Sequence, residues 1–181
     1  QLVPPVSAPH AITVGGYSDD NSRDRRRWGA YGSSYGHAYD GSIKPDIIAP
    51  AAWVPSPILP DSLVEREAEW LGPLLRDPTG TELKRLLGEG RDAVDIDFGD
   101  EDRVPELLLA RIHEHKLINP CYQHVDGTSV SAPIAASVVA QMLEANPRLS
   151  PAQVKAILQR TAQPIGRIAR ERQGSGALNA R

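Results

Sequence analysis

The chain has 181 residues, with 20 Lys or Arg against 23 Asp or Glu and a formal net charge of −3. At 40% hydrophobic and 24% charged residues, its composition is that of a globular domain, which excludes disordered, collagen-like and membrane-embedded classes. Without a basic excess, nucleic acid is not an expected partner, because its recognition rests on neutralising phosphate charge. The single cysteine, Cys121, leaves no disulfide within the chain, so stability is expected from packing or from a bound ion. No membrane span is expected either: the most apolar run begins at Ile134 and is interrupted by Gln141 and Glu144, short of the roughly 18 apolar residues required. Residues 1–9 carry no basic-then-apolar leader and read as the interior of a longer protein.

In chain order, Ala11-Ile12-Thr13-Val14 closed by Gly15-Gly16 predicts a buried strand ending in a turn. Residues 17–42 are rich in Gly, Ser, Asp, Arg and Tyr without helical periodicity and read as surface loop. Arg23, Arg25, Arg26 and Arg27 lie there beside Trp28, interleaved with Asp19, Asp20 and Asp24. That mixture suits a solvated loop, with an acidic partner as the alternative. Lys44-Pro45-Asp46-Ile47-Ile48-Ala49-Pro50 predicts a short strand bounded by two prolines.

Residues 51–123 differ in composition and read as a helix-rich acidic insertion. An amphipathic helix is expected over 61–75, with Leu63, Ala68, Leu71, Leu74 and Leu75 among Glu65, Glu67 and Glu69, until Pro73 disturbs its last turn. Further helical pieces are expected over 82–87 and 105–115. Between them runs an acidic stretch containing Asp92, Asp95, Asp97, Asp100, Glu101 and Asp102. Asp95, Asp97 and Glu106 imitate part of a calcium loop, but Gly99 stands one place early, which favours a solvated acidic loop.

Residues 129–145 are small and apolar on every side, predicting a helix buried all round. Pro147 ends it, and Ser150 caps a second helix with Pro151 at its first position and Val154, Ile157 and Leu158 as its apolar stripe. A glycine-rich turn, 173–179, ends the chain.

The chemistry concentrates in Asp126-Gly127-Thr128-Ser129-Val130-Ser131-Ala132-Pro133. It sets a serine where a turn meets a helix, whose unpaired amides and positive end favour negative charge developing on oxygen. Pro133 is expected in the first helical turn, where its missing N–H has no partner to lose. On these residues alone, a helix cap by Thr128 or Ser129 and a nucleophile are both open.

Gly127-Thr128-Ser129-Val130-Ser131-Ala132-Pro133 fits the G-T-S-x-x-x-P nucleophile signature of the subtilases, the subtilisin-like serine proteases. Lys44-Pro45-Asp46-Ile47-Ile48-Ala49-Pro50 is similar to that family's K-P-D-[IV]-x-A-P segment, and 11–15 resembles the strand before its substrate-side loop. Ala145-Asn146-Pro147, Leu149-Ser150-Pro151 and the turn at Gly174, Gly176 and Asn179 resemble the blocks after the nucleophile. The resemblance implies an α/β, doubly wound, mostly parallel sheet with its site at the strands' carboxyl ends. It implies a peptide or protein substrate and a Ser-His-Asp acyl-enzyme mechanism without a required cofactor. Ser129 would be the nucleophile with its amide as an oxyanion donor, and Thr128 would support that hole. A structural calcium ion is the one addition the acidic run admits, and the family's frequent secretion points to a secreted or periplasmic setting.

The family's aspartate, histidine and oxyanion asparagine motifs precede the block matched by 11–15, and none has a counterpart in this sequence. His10, His37, His113, His115 and His124 all stand in other contexts. His124, five residues before Ser129, reads as a polar strand residue; His113 and His115 read as solvated; Cys121 reads as a small packed residue. The chain therefore resembles the C-terminal portion of a catalytic domain whose partner is the missing N-terminal half. In subtilisin, losing the catalytic histidine costs on the order of 10⁶ in turnover, so the isolated chain is expected to be inactive. The alternatives are an inactive remnant serving as a scaffold and one chain of a processed two-chain enzyme.

Overall fold

The computed structural model describes residues 2, 4–76, 85 and 103–180. They form two compact units, the first from Gln1–Val54 with Asp126–Arg181 and the second from Pro55–Val125. In the first, β1 (Val14–Ser18) lies between β2 (Gly29–Ala30) and β5 (Ile47–Pro50). β1 runs parallel to β5 in the register Val14 to Ile47 through Tyr17 to Pro50, and antiparallel to β2. A hairpin of β3 (Gly36–His37) and β4 (Ile43–Lys44) fills the connection between β2 and β5.

Gly15 and Gly16 lie inside β1, not in a turn after it. A Cβ on Gly15 would stand 2.7 Å from Pro45 Cγ, and one on Gly16 would stand 2.4 Å from Ala51 Cβ. The pair is thus explained by close packing within a strand, a use of glycine that sequence alone does not separate from a turn. Tyr17, the first residue of the expected surface loop, is buried and stacks on Trp28 at 5.0 Å. Its burial, and after it the charge of Asp19, push the phenol up to about 12, with Arg25 opposing.

The second unit holds a sheet in the order β6 (Val54–Pro57), β8 (Tyr122–Val125), β7 (Leu117–Asn119), together with α1 (Leu63–Leu71) and α2 (Val104–Glu114). Ser62 caps α1 by accepting from the Glu65 amide, and Pro73 sits in the 3₁₀ turn Gly72–Leu75 that ends it. Ile58, Ala68, Leu71, Leu74, Val104, Leu108 and Leu117 form this unit's core. Within the expected helix 82–87 only Arg85 is described, and the acidic residues 92–102 lie outside the described residues.

The first unit resumes with α3 (Thr128–Ala145), α4 (Pro151–Thr161) and the short α5 (Arg170–Gln173). Successive residues of β5 face opposite ways. Ile47 packs with Ala135 and Val138 of α3 and Val154 and Leu158 of α4, whereas Ile48 packs with Tyr17, Ile165, Ile168 and Ala177. Ser150 and Gln153 close a capping box at the start of α4. Ile157, assigned to its apolar stripe, is instead 37% exposed.

The chain's end joins the β1 and β5 sheet. Ile48 N donates to Gly176 O at 2.9 Å, Leu178 N donates to Ile48 O at 2.8 Å, and Ile48 and Ala177 form a parallel bridge. Gly174, at φ +57, explains the glycine-rich sequence: a Cβ there would lie 2.1 Å from Pro45 O. The architecture is α/β, and among the described residues parallel pairing is confined to β1 with β5 and to this bridge.

α3 departs from the expectation of a helix buried all round. Ser131, Ala135 and Val138 are buried, but Ala132, Ala136 and Ala140 are exposed. One face packs on β1 and β5, and an apolar composition on every side does not by itself provide a second covering layer. Together with Ile12 and Val14, the flank formed by Ala132, Ala135, Ala136 and Val139 lines an apolar cleft of about 260 Å³.

Candidate active site

The end of β5 and the start of α3 are tied by the backbone and by one carboxylate. Gly127 N donates to Ala51 O at 2.7 Å, and Trp53 N donates to Asp126 Oδ1 at 2.8 Å. Gly127, at φ +140 and ψ 153, is the N-cap residue. Having no side chain, it caps nothing, and neither Thr128 nor Ser129 stands at the capping position. Ser129 is the second residue of α3 and is exposed. Among the described residues its hydroxyl makes no side-chain hydrogen bond.

The first amides of α3 have no intrahelical acceptor and carry the positive end of the helix dipole. Among the described residues, one of these early amides has a turn partner, Val130 N donating to Gly127 O at 3.1 Å. Pro133 lies deeper than the first turn: it is the sixth residue of the helix. Its absent N–H is the one that would have donated to Ser129 O in the i to i−4 ladder. The break therefore falls on the residue that carries the exposed hydroxyl, which can accept or lose a proton, or attack an electrophile, beside the amides of the helix's first turn.

The histidines are scattered. His10 is exposed near the chain's start, and the Nδ1 of His37 lies 3.3 Å from Gly41 O. His124 is on β8 of the second unit, with its amide bonded to Lys116 O at 2.9 Å. His113 is exposed, but His115 is not solvated as expected. Its side chain is 14% exposed, and its Nε2 is hydrogen-bonded to the fully buried Glu67 carboxylate. Arg111 completes the group, with Nε donating to Glu67 Oε2 at 2.9 Å and Nη2 donating to Oε1 at 3.0 Å. Burial pushes the Glu67 carboxyl up, but the hydrogen bonds from Arg111 and His115 outweigh it and leave the group below its ordinary range. The 3.6-residue pattern of α1 marks Glu67 as polar, and nothing local signals partners 44 and 48 positions away.

A second buried group, also missed, holds the first unit together. Asp46 accepts from Lys44 Nζ at 3.0 Å, Thr13 N at 2.8 Å and Gln159 Nε2 at 3.1 Å, and pairs with Lys155 Nζ at 3.1 Å. Lys44 is fully buried. Desolvation lowers the Lys155 pKa despite the opposing pull of Asp46. The carboxylate thus joins β4, α4 and the approach to β1.

Cys121, expected to be packed, is exposed. In the arginine loop, Arg26 pairs with Asp24 at 2.8 Å, Arg27 pairs with Asp20, and Arg167 donates to Arg26 O at 2.7 Å. Of the calcium-loop residues, Asp95, Asp97 and Gly99 lie outside the described residues, and Glu106 is in the first turn of α2. Among the described residues no group of three His, Cys, Asp or Glu is placed to hold a metal ion, and no helix is long and apolar enough to cross a membrane.

The α/β unit thus sets a solvent-facing serine, Ser129, on the first turn of α3. The sequence profile of the Subtilase family matches residues 2–179, and the chain belongs to that family, whose members are serine-type peptidases acting on peptides or proteins. Among curated proteins, none matches the chain.

Proposed function

We propose that this chain is the nucleophile-bearing C-terminal portion of a subtilase catalytic domain, and that Ser129 attacks the scissile carbonyl to form an acyl-enzyme. The carrying observation is the exposed Ser129 hydroxyl on the first turn of α3, directly after the Gly127 turn bonded to Ala51. In this reading the Ser129 amide is one oxyanion donor, and Thr128 supports the hole from the preceding position. The general base, its orienting aspartate and the oxyanion asparagine are supplied by residues outside these 181, since none of the family's motifs for them occurs in the sequence.

The parallel pair of β1 and β5 belongs, on this account, to a doubly wound sheet completed by the missing half. The uncovered flank of α3 and its apolar cleft support that reading. Residues 51–123 are an insertion that leaves the domain after β5 and returns just before the nucleophile turn, a position suited to shaping substrate access. No cofactor takes part in the chemistry; calcium bound near 95–106 would be structural. The formal charge of −3 speaks against nucleic acid as a partner.

The complete natural protein is expected to cleave casein, to lose that activity in Ser129→Ala, and to have none as the isolated 181-residue chain. Casein cleavage that survives in Ser129→Ala contradicts the proposal.

A further inference from the structure

Ser131 stands two residues after Ser129 and is fully buried. Its hydroxyl lies 2.9 Å from Pro50 O and 3.3 Å from Ala49 O, acceptors 81 and 82 positions earlier in the chain. Helical serines commonly bond back to their own helix, as Ser137 does to Ile134 O at 2.8 Å. Ser131 instead spends its one donor on the end of β5.

An α-helix advances about 100° per residue, so side chains two apart point roughly 160° away from each other. A bond that turns Ser131 toward β5 therefore turns Ser129 toward solvent, as their burial and exposure record. The Gly127 and Asp126 ties fix where the turn sits, but both lie before the helix begins and do not set its rotation. The Pro133 ring removes a ladder bond from this same stretch, and Ala135 and Val138, which pack with Ile47, hold the helix only beyond its first turn; within that turn Ser131 makes the contact with β5.

We propose that Ser131 is a positioning residue for Ser129, its hydroxyl locking the rotation of the first turn of α3 so that the Ser129 oxygen faces base and substrate. This rests on Ser129 being the nucleophile. Ser131 touches no substrate, so its loss should act on turnover and not on binding.

The experiment compares the complete protein with Ser131→Ala, Ser131→Cys and Ser129→Ala. Each is titrated with diisopropyl fluorophosphate to count reactive sites before kcat and KM are measured. Ser131→Ala is expected to lower kcat per titrated site about tenfold with KM within about twofold, and Ser131→Cys, a near isostere with a weaker donor, to fall between. A parent-like kcat per titrated site in either variant overturns the proposal. So does a loss confined to the number of titratable sites, which marks a purely structural role. If Ser131→Ala does not fold, Ser131→Cys carries the same comparison. Ser129→Ala separates the two readings. Retained cleavage there removes the nucleophile assignment itself, whereas an inactive Ser129→Ala beside a parent-like Ser131→Ala removes only the positioning role.

Discussion

Asp126 accepts the amide of Trp53 at 2.8 Å across 73 positions, and Trp53 holds a left-handed φ of +55 at that point. A bulky residue in this region is strained, so the carboxylate fixes a turn that the backbone alone would not favour. Asp126→Ala is expected to destabilise the first unit by about 1.5 kcal/mol, the lower end of the range for a charged acceptor because Asp126 is exposed. Urea denaturation of the complete protein followed by tryptophan fluorescence checks it, and an unchanged midpoint contradicts it.

Asp46 is the polar centre of the first unit. Asp46→Ala leaves Lys44 buried without its carboxylate and removes the acceptor of Gln159, while Lys155 keeps only the Pro9 and Ala11 carbonyls, which should cost about 3–5 kcal/mol. Lys44→Met should cost clearly less, because Asp46 keeps Lys155, Gln159 and the Thr13 amide. Equal losses in the two variants would contradict this ranking.

Gly174 and Gly29 form a matched pair. Gly174→Ala places a methyl 2.1 Å from Pro45 O at φ +57, while around Gly29 nothing lies within 4 Å. The first is expected to cost about 3 kcal/mol or more and the second to stay within about 1 kcal/mol. A thermal melt of each variant decides it; a harmless Gly174→Ala would contradict the close approach of the terminal turn to Pro45 and Asp46, just before β5.

Much of this architecture is legible in local patterns. The amphipathic stretch before Pro73 becomes α1, and Ser150-Pro151 opens α4 with its capping box. What escapes local reading depends on neighbours distant in sequence. Gly15 and Gly16 accommodate Pro45 and Ala51, and Glu67 is buried because Arg111 and His115 meet it from α2 and the residue that follows its last turn. For the candidate site, the G-T-S-x-x-x-P spacing draws attention to Ser129. The burial of Ser131 and the depth of Pro133 within α3 depend on where the helix begins and which face meets β5. A uniformly small, apolar helix carries no stripe from which to read that.

The Glu67 cluster gives the second unit a pH dependence. A carboxyl whose folded pKa is below its ordinary value of 4.5 stabilises the fold in full above that value and loses the contribution as pH falls through the lower folded one. Melting temperature is therefore expected to drop on acidification below about pH 4.5 more steeply in the parent than in Glu67→Gln. Parallel acid profiles would contradict the role given to Glu67. Glu67→Ala, which leaves Arg111 with Glu114 and His115 without its carboxylate, should cost about 3 kcal/mol at neutral pH, the lower end for a broken buried pair.

The most direct test of the central claim is the site of covalent modification by diisopropyl fluorophosphate in the complete protein, read by mass spectrometry of its tryptic peptides. Residues 117–148 fall on one such peptide, with Ser129 within it. A single adduct on Ser129, absent from the isolated 181-residue chain, is the predicted result. An adduct on another serine, or full reactivity that persists in Ser129→Ala, would contradict the account.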